Sequence, residues 1–200
     1  MITIDLDGTL LPNDTAFATI LRDNGHAEFV QESDRRYFAG ELGLEECFWE
    51  QWGKVRELSL ASMHRALRKA NWLPGIETTV REWAKHEEVM LLTDQPSTVT
   101  DFLGRWGLRA LCSPVTVLEG EQINIEARFD KWANLQSYLD QEGIDPADVV
   151  HIGNGANDVP VWEKVGGSIA VFADPEVAAR AQINLGTVAN LADVQPRGGK

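Results

Sequence analysis

The chain has 200 residues, 44% hydrophobic and 24% charged, enough apolar material for a substantial core and a composition that argues against disorder. Its formal net charge of −13 has no compensating basic patch, since Lys and Arg occur singly or in pairs such as Arg35-Arg36 and Arg68-Lys69. That excludes a surface built for nucleic acid or acidic membranes, and any anionic substrate must be met by a few specific groups. Cys47 and Cys112 lie far apart and offer neither a disulfide framework nor a CxxC motif. With no basic leader and no bilayer-length apolar run, the expected setting is cytoplasmic.

Ile2, Ile4 and Leu6 alternate with polar residues as a strand that Gly8 breaks. Helical periods then follow, over Asp14 to Arg22, Ala27 to Phe38, Leu44 to Arg56 and Leu60 to Ala70. Leu73-Pro74-Gly75 ends that run. A helix from Ile76 to His86 leads to Val89-Met90-Leu91-Leu92, an apolar run bounded by polar residues as a buried strand is. Next come a helix over Ser97 to Trp106, a short strand near Ala110 to Cys112, and strands over Val115 to Leu118 and Gln122 to Ala127. An amphipathic helix from Asp130 to Gln141 carries Trp132, Leu135 and Leu139 on one side. Val149 to Ile152 and Ser168 to Phe172 read as further strands, and Pro175 opens a last helix.

This alternation predicts an α/β fold with a doubly wound parallel sheet, made of residues 1–10 and 74–200, with residues 11–73 as a helical insertion after the first strand. Only the Pro196 to Lys200 tail reads as disordered. Such sheets bind ligands at the carboxyl ends of their strands, where Asp5, Thr93 and Asn154 fall. The four histidines, at unrelated spacings, read as surface or satisfied buried imidazoles rather than metal ligands.

Asp5-Leu6-Asp7-Gly8-Thr9-Leu10 places two carboxylates at a strand end, two residues apart and so pointing the same way. One could attack phosphorus while the other protonates the leaving oxygen; the same residues also read as an ordinary Asp-Gly turn. Thr93 ends a buried strand with a hydroxyl ahead of a helix, which suits a phosphate or a simple helix cap. Lys131 opens a helix where its charge opposes the macrodipole, so helix stability gives no reason for it. Gly153-Asn154-Gly155-Ala156-Asn157-Asp158 is the more specific element, because glycine turns admit a ligand to the backbone and hard oxygens follow at once. Those oxygens suit Mg2+.

In that order, DLDGTL, the strand-end Thr93, Lys131 and GNGAND resemble the four motifs of the haloacid dehalogenase superfamily of phosphohydrolases. The insertion after the first motif, the Gly40 to Glu46 segment and GNGANDVPV are most similar to its phosphoserine phosphatase branch, which has a small helical cap. The resemblance implies a Mg2+-dependent phosphatase that forms an aspartyl-phosphate. In it Asp5 is nucleophile and metal ligand, and Asp7 is general acid and base with its carbonyl on the metal. It further implies that Thr93, Asp94, Lys131 and Asn157 surround the phosphate, and that Asn154 and Asp158 complete the metal site. The expected partner is a small phosphorylated metabolite, with neither nucleic acid nor membrane, for a monomer or homodimer.

Three departures bear on activity. Asn154 stands where the family usually has an aspartate, which removes one negative charge and predicts weaker Mg2+ affinity. Thr93-Asp94-Gln95-Pro96 replaces a serine followed by two glycines. In the cap, Asp14 takes the place of an amino-binding glutamate while Gln51 falls near a carboxylate-binding arginine, so phosphoserine is one candidate among several. Phe17, Phe48, Trp49 and Trp52 are candidates to line a pocket for a larger alcohol, or equally to pack the cap. A catalytically weak binding module and a phosphotransferase are the alternative functions.

Overall fold

A computed structural model describes residues 1–117 and 123–196. Strand β1 (Ile2–Ile4) starts at the second residue and pairs in parallel with two neighbours, β2 (Val89–Pro96) and β6 (Val150–Gly153). Ile2 lies opposite both Val89 and Val150, and Ile4 opposite both Leu91 and Ile152. A strand paired on both edges and covered on both faces is buried throughout, as β1 is, and its one polar residue, Thr3, is satisfied by His151 Nδ1. Beyond β2 lies β3 (Arg109–Ser113), and beyond β6 lie β7 (Gly167–Ala170) and β8 (Ile183–Asn184), in the order β3-β2-β1-β6-β7-β8. Strand order reverses between β1 and β6, so the crevice for a ligand opens at the carboxyl ends of these two strands.

The period of two sorts the sheet's side chains into two layers. Ile2, Ile4, Val89 and Leu91 join one core with Val80, Val99 and Leu103, while Met90 and Leu92 join another with Leu135, Leu139 and Val161. Helix α5 (Ile76–Trp83) and the short α6 (Ser97–Thr100) contribute to the first layer, and α7 (Lys131–Glu142) and α8 (Val159–Trp162) to the second. Four helices fill the stretch between β1 and α5: α1 (Ala16–Asp23), α2 (Ala27–Phe38), α3 (Leu44–Val55) and α4 (Leu60–Lys69). Phe17 of α1 meets the rings of Phe48 and Trp52 of α3 at 5.1 and 5.8 Å, which joins the insertion around an aromatic centre.

Several elements differ from the sequence-based expectation. The helix predicted over Ser97 to Trp106 is one α-helical turn followed by a 3-10 stretch, Asp101–Trp106, which stops at the left-handed Gly107. The stretch that tightens holds Gly104, a poor helix former, whereas the β-branched Thr98-Val99-Thr100 lies in the α-helical turn itself. The helix that Pro175 opens is only α9 (Pro175–Ala178), and the two-residue β8 gave no periodic signal. Strands β4 (Val115–Val117) and β5 (Ile123–Ile125) pair antiparallel; Leu118, Gln122 and the tail beyond Pro196 lie outside the described residues. Among the described residues no helix is long and apolar enough to cross a membrane.

Candidate active site

Asp5 follows β1 directly, and its N–H donates to Ile152 O of β6 at 2.8 Å, which ties the residue to the switch point. Lys131, at the first turn of α7, sends a buried side chain across the sheet edge. Its Nζ lies 2.6 Å from Asp5 Oδ1 and 2.6 Å from Asp158 Oδ1. This contact explains a lysine at a helix start: two buried carboxylates hold it, and Asp130 caps the helix by accepting from Ala133 N.

Asp158 is saturated by donors. Besides Lys131, its Oδ1 takes His151 Nε2 at 3.0 Å, and its Oδ2 takes the backbone N–H of Asn154 and of Gly155, each at 2.9 Å. His151 is itself fixed by Thr3 Oγ1 at 2.9 Å from Nδ1. Burial raises the Asp158 carboxyl, yet the Lys131 charge and the His151 contact outweigh it and hold Asp158 well below the usual range. For Asp5 the balance tips the other way. Burial, followed by the Asp158 charge, holds its carboxyl well above the ordinary range despite Lys131. Burial disfavours the Lys131 ammonium, but Asp158 and Asp5 together keep it charged and raise its pKa.

Asp7 faces the same cavity with a different environment. Its Oδ1 accepts from Ala16 N at 2.7 Å and its Oδ2 from Gln95 Nε2 at 2.5 Å, while burial pushes the carboxyl up to about 6. A carboxyl poised there can both give and take a proton near neutrality. The register shift between Leu92 and Pro96 in β2 swings Gln95 towards Asp7, and Thr93 Oγ1 accepts from Gln95 N at 3.2 Å. Asp94 Oδ2 takes Asn157 Nδ2 at 2.9 Å, whereas Asp94 Oδ1 and Gln95 Oε1 are buried without a hydrogen-bond partner among the described residues. The Gln95 contact with Asp7 and the His151 contact with Asp158 carried no sequence signal beyond proximity to the motifs.

The glycine of the first motif lets the first and last motifs touch. Gly8 has φ +75, and a Cβ there would collide with the Asn154 amide. Thr9 Oγ1 bridges the two loops, donating within 3.3 Å of Asp5 Oδ2 and 3.2 Å of Asn154 Oδ1. Gly8→Ala is therefore expected to destabilise the protein by about 1–3 kcal/mol and to displace Asn154, read together by urea unfolding and activity. A variant with wild-type values for both would disprove this locking.

Asp5, Asp7, Thr93, Asp94, Asn154 and Asn157 line one cavity of about 470 Å³, which extends beneath the inserted helices to Phe17, Phe48 and Gln51. Lys131 and Asp158 lie behind Asp5 and hold it. The cap expectations fare differently. Asp14 lines the cavity, but both its oxygens are taken by Arg22 Nη1 at 2.8 Å, and it also accepts from Thr15 N and Thr19 Oγ1, so no free acceptor faces an amino group. Trp52 is buried against Phe17, and Trp49, 44% exposed, packs edge-on to Phe48; neither lines the cavity. Gln51 reaches Ser33 Oγ and Cys47 Sγ at 3.5 Å.

Among the described residues no three His, Cys, Asp or Glu side chains form a ready metal cage. Mg2+ does not need one, because it keeps several waters and takes one or two carboxylates plus phosphate oxygens. Asp5 Oδ2 and Asn154 Oδ1, bridged by a single hydroxyl, form a hard oxygen pair that fits such an ion. Asp158, with four donors on two oxygens, is built to hold the loop and Lys131.

Residues 115–191 match the family of haloacid dehalogenase-like hydrolases. The chain is 26% identical over 194 residues to a phosphoserine phosphatase of Methanocaldococcus jannaschii, covering 92% of this chain and 90% of the relative. A substrate-bound phosphoserine phosphatase structure superposes with a TM-score of 0.79 at 22% identity, over 96% of this chain and 94% of that one. A haloacid dehalogenase family hydrolase from Salmonella enterica serovar Typhi superposes at 0.80 with 21% identity, over 92% of this chain, which spans 66% of that longer protein. The parallel six-stranded sheet with its helical insertion is thus the haloacid dehalogenase fold.

Proposed function

We propose that this haloacid dehalogenase-like hydrolase is a Mg2+-dependent phosphatase that cleaves a small phosphomonoester through an aspartyl-phosphate on Asp5. The observation that carries the reading is the buried Asp5–Lys131–Asp158 cluster, placed at the switch point and opening into a cavity beside Asp7. A buried carboxylate held by one lysine, which a second carboxylate shares, stores a nucleophile next to a fixed positive charge. Similarity to phosphoserine phosphatases over nearly the full length supports it.

In this mechanism an Asp5 oxygen attacks phosphorus, the bond from phosphorus to the ester oxygen breaks, and Asp7 gives its proton to the departing alkoxide. A water then attacks the phosphorus of the aspartyl-phosphate and loses a proton to Asp7, the acyl phosphate P–O bond breaks, and inorganic phosphate and the Asp5 carboxylate are restored. Ala16 N and Gln95 Nε2 fix the Asp7 carboxyl during both transfers. Lys131 stabilises the charge on the transferred group, with Thr93 and Asn157 beside it. Asp5, Asn154 and the Asp7 carbonyl would hold Mg2+, which supplies charge neutralisation between nucleophile and phosphate. Asp158 positions Lys131 and the 153–155 turn rather than binding the ion.

Chelation is expected to abolish hydrolysis of p-nitrophenyl phosphate, and added Mg2+ to restore it. Asn154→Asp should lower the Mg2+ concentration needed for half-maximal rate about tenfold, because a formal negative charge replaces an amide oxygen. Full activity in chelator, or a wild type inert at every Mg2+ concentration, would refute the assignment.

A further inference from the structure

The cap side of the cavity has a charge pattern that selects the alcohol. Apart from the groups assigned to the phosphate and metal end, its charged lining residues are Asp14, Arg22 and Asp34, two carboxylates against one guanidinium. The guanidinium is already engaged: Arg22 Nη1 lies 2.8 Å from both Asp14 oxygens, and Nη2 is 3.7 Å from Asp34 Oδ2. No lysine lines this cavity among the described residues. A substrate carboxylate placed here would meet a spoken-for arginine flanked by two like charges, which is how a site rejects a ligand. A cation would meet the opposite. Among the described residues Asp34 makes only the long contact to Arg22, and the rings of Phe17, Tyr37 and Phe48 line the same cavity.

We propose that the leaving alcohol carries an ammonium group and no carboxylate, with Asp34 as the acceptor that faces it. The substrate class is the phosphomonoester of an amino alcohol, and the aromatic wall takes the carbon chain or N-methyl groups. This rests on the phosphatase reading above and adds the chemistry of the leaving group. It also separates this chain from a phosphoserine-selective site, because Gln51 and Asp14, at the positions singled out for recognising an amino acid, are bonded within the protein.

The test compares kcat/KM for ethanolamine phosphate, ethyl phosphate and O-phosphoserine, with p-nitrophenyl phosphate as the measure of basal chemistry. Ethanolamine phosphate is expected to exceed each of the other two by at least about tenfold. Asp34→Asn should shrink its advantage over ethyl phosphate, and Asp34→Lys should reverse it towards phosphoserine. Turnover of p-nitrophenyl phosphate with phosphoserine preferred, with the ethyl ester equal to the amine, or with a ratio unmoved by both Asp34 variants overturns this inference and leaves the phosphatase reading standing. A wild type inert on p-nitrophenyl phosphate overturns both.

Discussion

Asp5→Asn is expected to lower kcat for p-nitrophenyl phosphate by at least about a thousandfold at saturating Mg2+, since the group that forms the covalent bond to phosphorus is gone. The substitution nearly preserves shape. Lys131 keeps its 2.6 Å contact with Asp158, and the Asp5 backbone N–H still bonds Ile152 O, so the fold should survive. Stability should even rise slightly at neutral pH. Burial and the Asp158 charge hold the Asp5 carboxyl well above its ordinary range, so ionising it in the native state carries a cost that a neutral amide escapes. Loss of turnover with an unchanged or raised unfolding midpoint would therefore separate a chemical role from a structural one. A variant with near-normal hydrolysis would remove Asp5 as nucleophile and, with it, the covalent mechanism.

The parts of the fold that were readable in sequence are those set by periodicity and by glycine. The apolar alternation at Ile2 and Ile4 and the run at Val89 to Leu92 placed two central strands, because a strand buried in a parallel sheet is mostly apolar and admits a polar residue such as Thr3 only with a partner. Gly8 and the Gly153 to Gly155 turn marked where backbones approach, and they are where the first and last motifs meet. Elements held by few residues escaped: β8 pairs through two residues, and the turn after Ser97 tightens into a 3-10 helix. Side-chain partners across the fold left no local trace either. Asp14 gave no sign of its capture by Arg22 eight residues on, nor Gln95 of its reach to Asp7, since both depend on how helices and strands settle against one another. Sequence left His151 open as a surface or a satisfied buried imidazole; it is buried and bonded on both ring nitrogens, and its place behind Asp158 needed the register of β1 with β6.

Replacing Lys131 with methionine tests the electrostatic centre from the opposite side. The ammonium is 1% exposed and sits between carboxylates that are 6% and 0% exposed. Removing it leaves two buried carboxylates near each other with one cation fewer than the wild type, and breaking such an arrangement costs about 3–5 kcal/mol. Asp158 keeps His151 and two backbone N–H groups, whereas among the described residues Asp5 keeps only the 3.3 Å contact from Thr9, so Asp5 should respond by holding its proton to still higher pH. The native state then binds more protons than the unfolded chain between the ordinary carboxylate range and that raised value. Stability of Lys131→Met must accordingly fall as pH rises through that window. Urea unfolding at pH 5 and pH 7.5 should show the larger deficit at pH 7.5, and Lys131→Met combined with Asp5→Asn should recover much of it by removing the unpaired charge. Phosphatase activity should be lost in both variants. A single variant as stable as wild type at pH 7.5, or a double variant no better than the single one, would mean that the buried cluster does not carry the charges assigned to it.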